Sequence, residues 1–268
     1  MHILSAHHLN ERLCYTGQKE FSMHIIDDGI LLDAKLEMPK NAGKCPLAII
    51  IHGYTGNKEE RHILAVSRMF NELGLATLRV DMYGHGESGG EFRNHTLFKW
   101  MTNALTVIDY ARSLDFVTDI YLCGHSQGGL TVMLAGAMKS DQIKAIIPMS
   151  PAIVIPEGAR KGRLLGMEFD PSHIPEQFQV KEDKTLSGNY VRVARTIRIE
   201  DFIDSYSGPV FLIHGSADES IPVQCSIDAS KRYRNAKLVV VEGDTHCYDY
   251  HLDQVVESIR AWMKEQLH

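Results

Sequence analysis

Gly124-His125-Ser126-Gln127-Gly128 places a serine between two glycines, directly after the apolar run Ile120-Tyr121-Leu122-Cys123. A G-x-S-x-G stretch can expose a serine hydroxyl at the apex of a sharp strand-to-helix turn, because the glycines let the backbone fold tightly on both sides. The following Leu130-Thr131-Val132-Met133-Leu134-Ala135 reads as a packed helix. Such a hydroxyl is a weak nucleophile at neutral pH. It needs a base within hydrogen-bond reach and a carboxylate to orient that base.

For a nucleophile on a strand–turn–helix elbow the chain order is serine, acid, histidine. Asp218 lies just beyond the strand ending Ile213-His214, and is the expected acid; its neighbour Glu219 is the competing choice. His246, after the last strand in Val241-Glu242-Gly243-Asp244-Thr245-His246, is the expected base. His251 is the runner-up, while His52, His85 and His125 precede the serine and conflict with the order. Asp244 and Asp249 stand too close to His246 in sequence to reach its far nitrogen readily. The negative charge of a tetrahedral intermediate needs two backbone N–H groups. Gln127, next after the serine, supplies one, and Tyr54 in His52-Gly53-Tyr54-Thr55-Gly56 is the candidate for the other. Asp81-Met82-Tyr83-Gly84-His85-Gly86-Glu87-Ser88 also gathers an acid, a histidine and a serine. Triad members converge from separate loops, so this stretch reads as a rigid brace under the site.

These side chains need a scaffold that brings loop ends together. Residues 21–27 and 30–38 read as a hairpin turning at Asp28-Gly29. Further strands are expected at Pro46–His52, Leu75–Asp81, Asp119–Cys123, Lys144–Met149, Pro209–His214 and Leu238–Val241. Helices are expected at 60–73, Leu97–Leu114 and His251–Gln266. Strands alternating with helices imply an α/β fold: a mostly parallel eight-stranded sheet with helices on both faces, made mixed by the opening hairpin.

The rhythm breaks in residues 151–207, which hold four prolines and the charged run Lys181-Glu182-Asp183-Lys184. An insertion here overlies the carboxyl end of the sheet, where α/β proteins place their ligand crevice. It is read as a cap on a core formed by 1–150 and 208–268, ordered by Met167, Phe169, Ile174, Phe178, Tyr190 and Val191.

Bulk properties are those of a globular chain. At 268 residues, 44% hydrophobic and 23% charged, it fits one large domain. A net charge of −6 gives no reason to expect nucleic acid, and no window approaches the run of about 18 apolar residues that a membrane span needs. Residues 1–20 lack the apolar core of a secretory signal, which favours the cytoplasm. Five cysteines without C-x-x-C spacing argue against a disulfide framework or zinc site. Cys123 and Cys247 read as packing residues.

Together these motifs resemble the α/β-hydrolase superfamily over nearly the whole chain. The finer pattern is similar to the bacterial cinnamoyl (feruloyl) esterases. It is carried by the 52–56, 81–88, 124–129 and 243–247 stretches, and more narrowly by Phe169-Asp170-Pro171-Ser172-His173-Ile174-Pro175 and Gly188-Asn189-Tyr190-Val191-Arg192. The resemblance implies an α/β-hydrolase fold with an inserted cap, and a Ser126-Asp218-His246 triad with Tyr54 and Gln127 at the oxyanion hole. It implies hydrolysis of hydroxycinnamate esters through an acyl-enzyme. Tyr190 matches a cap tyrosine that binds the substrate phenol in some relatives. The cap aspartate and glutamine that those relatives also use correspond to Gly158 and Leu165, so the phenol network differs here. No metal or organic cofactor is implied. The expected partner is a small aromatic ester, with a homodimer left open. A general carboxylesterase or monoacylglycerol-type lipase is the alternative activity. A non-catalytic binding protein on the same fold is the alternative class.

Overall fold

A computed structural model describes residues 10–13, 19–40 and 43–267. Cys14 and most of the N-terminal stretch read for a leader lie outside them. The strands of the main sheet are β1 (Asn10–Leu13), β2 (Lys19–Asp27), β3 (Ile30–Glu37), β4 (Cys45–Ile51), β5 (Ala76–Val80), β6 (Val117–His125), β7 (Ile143–Met149), β12 (Val210–Gly215) and β13 (Ala236–Val241). Their spatial order is β1-β2-β3-β5-β4-β6-β7-β12-β13. The six strands from β5 to β13 run parallel, and β1, β2 and β3 are antiparallel. The eight expected strands are all present. The ninth, β1, is a short edge strand whose Asn-Glu-Arg-Leu sequence has no apolar alternation to announce it.

Each layer follows from composition. β4 is covered on both faces, and Leu47 to Ile51 are buried throughout, which is why it reads as a continuous aliphatic run. Helix α1 (Arg61–Glu72) buries Ile63, Val66 and Phe70 from a single face. It packs with α8 (Leu252–Gln266) on one side of the sheet, around Phe211, Tyr248 and Trp262. Helix α2 (Leu97–Arg112), capped by Thr96 accepting from the Lys99 N–H, packs on the opposite side with α3 (Gln127–Met138). Helix α3 is buried on all sides from Gln127 to Gly136. Helix α7 (Gln224–Arg232), absent from the sequence reading, buries only Ser226 and Ala229 and so shows no apolar stripe.

Between β7 and β12 the chain forms α4 (Val154–Lys161), the hairpins β8 (Arg163–Leu164)/β9 (Met167–Glu168) and β10 (Gln177–Lys181)/β11 (Lys184–Ser187), α5 (Gly188–Ala194) and α6 (Ile199–Ser205). Phe178, Leu186, Tyr190 and Val191 join the core cluster that also contains α2 and α3, with Met167, Phe169 and Ile174 packed against it. The two strands flanking this excursion still pair directly, Val210 with Ile146 and Ile213 with Met149.

The junction of β4, β6 and α3 is the tightest point of the sheet. A Cβ at Gly128 would stand 2.3 Å from the His52 carbonyl oxygen and 2.4 Å from that of Ile51, and one at Gly124 would stand 2.3 Å from the Gly128 oxygen. Backbone rather than flexible side chain is what it would meet. Gly128→Ala is therefore expected to lower stability by roughly 1–3 kcal/mol, the usual range for overpacking. Urea unfolding of the variant against the parent checks this, and an unchanged midpoint would refute it.

Candidate active site

Ser126 stands between β6 and α3 with φ 55° and ψ −117°. That left-handed backbone costs a non-glycine residue about 1–3 kcal/mol and persists only where the surroundings enforce it. Here the Ser126 N–H donates to the Met149 carbonyl at 2.9 Å, and its own carbonyl accepts from Leu130 at 3.0 Å and Ala152 at 2.9 Å. The loop after β4 lies against the same serine: a Cβ at Gly53 would be 3.1 Å from the Ser126 Cβ.

Asp218 and His246 meet from the loops after β12 and β13. His246 Nδ1 donates to Asp218 Oδ2 at 2.6 Å. The carboxylate accepts only, so the proton sits on Nδ1 and the Nε2 lone pair remains available as a base. Asp218 Oδ1 accepts from the Ser220 and Ile221 N–H groups, each at 2.8 Å. His214 Nε2 lies 3.0 Å from Asp218 Oδ2, while its Nδ1 pairs with the Ser226 hydroxyl at 2.7 Å. Burial opposes the Asp218 charge, but hydrogen bonds from His214 and His246 outweigh it and hold the carboxyl well below the usual carboxylate range. Sequence reasoning passed over His214. Its only signal is a histidine ending a buried strand four residues before the acid.

The competing residues are occupied elsewhere. Asp244 is buried and accepts from the Thr245 and Tyr250 N–H groups. Asp249 pairs with Thr245 and Arg61 at the surface, and His251 is exposed. His125 reaches the His246 backbone, with Nε2 2.8 Å from its carbonyl oxygen. In the 81–88 stretch, Ser88 Oγ donates to the Asp81 carbonyl and accepts from the Asp33 N–H, far from any triad geometry. Asp81 itself accepts from the Lys58 N–H, the Lys58 ammonium and the Glu87 N–H. His52 closes this brace by accepting from the Met82 N–H at 3.0 Å and donating from Nδ1 to the Gly53 carbonyl at 2.7 Å.

Ser126 and His246 share one cavity of about 570 Å3 with Tyr54 and Cys247. Ala152, Ile155, Leu165 and Val180, all from the 151–207 excursion, give it an apolar side. Two other hollows, at the N-terminal ends of β6 and β7 and between α4, α6 and α7, hold neither residue. The N–H groups of Tyr54 and Gln127 have no protein acceptor among the described residues; that of Gln127 is one of the unpaired donors of a helix first turn. Tyr190 is fully buried and does not line the cavity; its hydroxyl donates to Gln127 Oε1 at 2.6 Å. Gly158 faces the Arg163 carbonyl, which a Cβ would approach to 2.3 Å. Burial pushes the Cys247 thiol up, against a thiolate nucleophile. Among the described residues no group of three or more His, Cys, Asp or Glu is arranged to hold a metal ion, and no helix is long and apolar enough to cross a membrane.

Strand order, elbow and the loops that bear Asp218 and His246 define an α/β hydrolase. The family described as serine aminopeptidase, S33, matches residues 44–187, more than half of the chain, and the chain belongs to that family. Among solved structures it is 60% identical to Est1E from Butyrivibrio proteoclasticus with ferulic acid bound, over 91% of this chain and 99% of that one, with a TM-score of 0.90. Among curated proteins it is 26% identical to the mitochondrial palmitoyl-protein thioesterase ABHD10 of Mus musculus, over 75% of this chain and 69% of that protein. Mouse α/β hydrolase domain-containing protein 10 shares the fold, with a TM-score of 0.72 at 18% identity.

The site is wrapped in histidines kept neutral by burial. Burial depresses His52, His62 and His95 from 6.5 to about 4, and His85 to about 2. A base whose folded value lies below its unfolded one contributes stability that is complete above pH 6.5 and is lost as the pH falls toward 4. The melting temperature is expected to begin falling near pH 6.5 and to go on falling toward pH 4, so that its first decline comes above the range in which ordinary carboxylates titrate. A melting temperature constant down to about pH 4.5 would refute this.

Proposed function

We propose that this protein is a serine carboxylesterase that cleaves hydroxycinnamate esters, feruloyl esters foremost, through a Ser126-His246-Asp218 triad. One contact carries the catalytic reading: His246 Nδ1 on the buried Asp218 carboxylate at 2.6 Å, with His246 and Ser126 lining one cavity. The substrate reading is supported by the 60% identity to a protein solved with ferulic acid bound.

Ser126 Oγ attacks the ester carbonyl while His246 Nε2 takes its proton, and Asp218 stabilises the imidazolium. The N–H groups of Tyr54 and Gln127 receive the negative charge on the carbonyl oxygen. Collapse breaks the bond to the alcohol oxygen, which leaves with the proton from His246. Water then attacks the acyl-enzyme by the same route, regenerating Ser126 and releasing the free acid. The 151–207 excursion acts as the cap, its Ile155, Leu165 and Val180 offering an apolar wall for the aromatic acyl group. A volume of about 570 Å3 lies within the usual range for small-molecule sites. With Gly158 packed on backbone and Leu165 apolar, neither position supplies a hydrogen bond to the phenol, so ring hydroxylation weighs less here than in relatives with polar residues there.

Ser126→Ala is expected to reduce turnover of methyl ferulate roughly 10⁶-fold while leaving the melting temperature near that of the parent. Retained turnover would remove the serine from the mechanism. In a panel of methyl ferulate, p-coumarate, caffeate, sinapate and aliphatic esters, the hydroxycinnamates are expected to have the higher kcat/KM. A preference for long-chain acyl groups would move the assignment to a lipase or acyl thioesterase. Failure of a fluorophosphonate to label Ser126 would indicate a binding protein.

A further inference from the structure

The two N–H groups assigned to the oxyanion hole belong to separate elements. Tyr54 is on the loop after β4, and Gln127 opens α3. A backbone donor is aimed by whatever fixes the residue that carries it, including its side chain. Both side chains turn to the same residue of the excursion. The Tyr190 hydroxyl donates to Gln127 Oε1 at 2.6 Å, and the Tyr190 ring centroid lies 6.2 Å from that of Tyr54.

Tyr190 is well placed to hold them. It sits in the middle of α5, is fully buried, and packs edge-on to His95 at 5.1 Å between centroids. His95 in turn lies 5.5 Å from the Tyr54 ring, so the three rings form one packed group. The start of α5 is tied down by Ser187, which accepts from the Asn189 N–H, and by the Gly188 N–H donating to the Glu176 carbonyl. Arg192, on the same helix, donates to the Ile174 carbonyl. Burial keeps the Tyr190 phenol protonated, and therefore a donor.

Gln127 has little else to orient it. Among the described residues the Tyr190 hydroxyl is the one hydrogen-bond partner of its side chain, whose Nε2 has none. Removing that hydroxyl leaves a buried carbonyl oxygen unsatisfied, and the amide gains reason to rotate away. Gln127 is the first residue of α3, so a side chain without its anchor leaves the end of the helix that carries this N–H less firmly held.

We propose that Tyr190 is a positioning residue that joins the two halves of the oxyanion hole, coupling the placement of the excursion to transition-state stabilisation. This rests on the esterase reading above, and replaces the phenol contact implied by family resemblance. The two roles differ in what they respond to. A phenol contact matters only for acyl groups bearing a hydroxyl, whereas a donor-positioning role matters for every ester.

Tyr190→Phe keeps the ring and deletes the hydroxyl. It is expected to lower kcat by about tenfold or more, with KM within about twofold, on methyl ferulate, methyl cinnamate and p-nitrophenyl acetate alike. Gln127→Met keeps the backbone N–H and deletes the acceptor, and is expected to give a similar loss. The double variant is expected to be no worse than either single one, since one bond is lost in all three. A loss confined to methyl ferulate, an unchanged kcat, or losses that multiply in the double variant would each overturn the proposal. Gln127→Met alone carries the test if Tyr190→Phe does not fold. The rate at which a fluorophosphonate modifies Ser126 gives a reading independent of the acyl group. Should the parent hydrolyse no carboxylic ester, the esterase reading fails, while slowed Ser126 labelling in Tyr190→Phe still reports on the bridge.

Discussion

The contact of one backbone on another, where the first turn of α3 presses on the end of β4, sets the terms for everything around it. No side chain fits between the Gly128 Cα and the carbonyls of Ile51 and His52. Helix α3 must therefore begin abruptly, and the residue at its start takes up the strain as a positive φ. That residue is Ser126. The same pressure brings Gly53 against Ser126 and sets the loop carrying Tyr54 beside the helix start carrying Gln127. Two separate segments, one carrying Tyr54 and the other Gln127, thus meet beside the serine.

Around this rigid centre the electrostatics are arranged by burial and by donors rather than by net charge. Two histidines and two backbone N–H groups point to the Asp218 carboxylate, two donors to each oxygen. It stays ionised in a buried place because those donors replace its hydration. The neighbouring histidines do the opposite. His52, His85, His95 and His125 are buried and held neutral, so they contribute shape and hydrogen bonds without adding positive charge near His246. His246 can then answer to Asp218. The buried Lys58–Asp81 pair at 2.6 Å serves the floor of the same region, tying the loop after β5 to the chain that follows the Tyr54 loop.

Much of this was legible in the chain because parallel sheets write themselves plainly. Strands covered on both faces become aliphatic runs, and the loops beyond their carboxyl ends are where reactive side chains collect. Ser126, Asp218 and His246 were read from order and position at three such loop ends, and the structure brings His246 to Asp218 and sets His246 and Ser126 in one cavity. Edge strand β1 and helix α7 were missed because both are polar, and neither carries the periodicity that burial imposes. His214 was hidden within the buried strand β12. The bond from Tyr190 to Gln127 could not be read at all. It joins side chains 63 residues apart on two different helices, and pairings of that kind leave no periodic trace.

The direct pairing of β7 with β12 bears on how such a protein can change its diet. The sheet closes whether or not anything lies between these strands. The entropic penalty of a longer connection grows only with the logarithm of its length, about 0.6 kcal/mol per doubling. A different segment could therefore stand in place of residues 151–207 without rebuilding the elbow, provided that it still covers the apolar side of α2 and α3. On the role proposed for Tyr190, the exchange carries a second condition: whatever segment arrives has to bring a hydrogen-bond donor to the Gln127 amide.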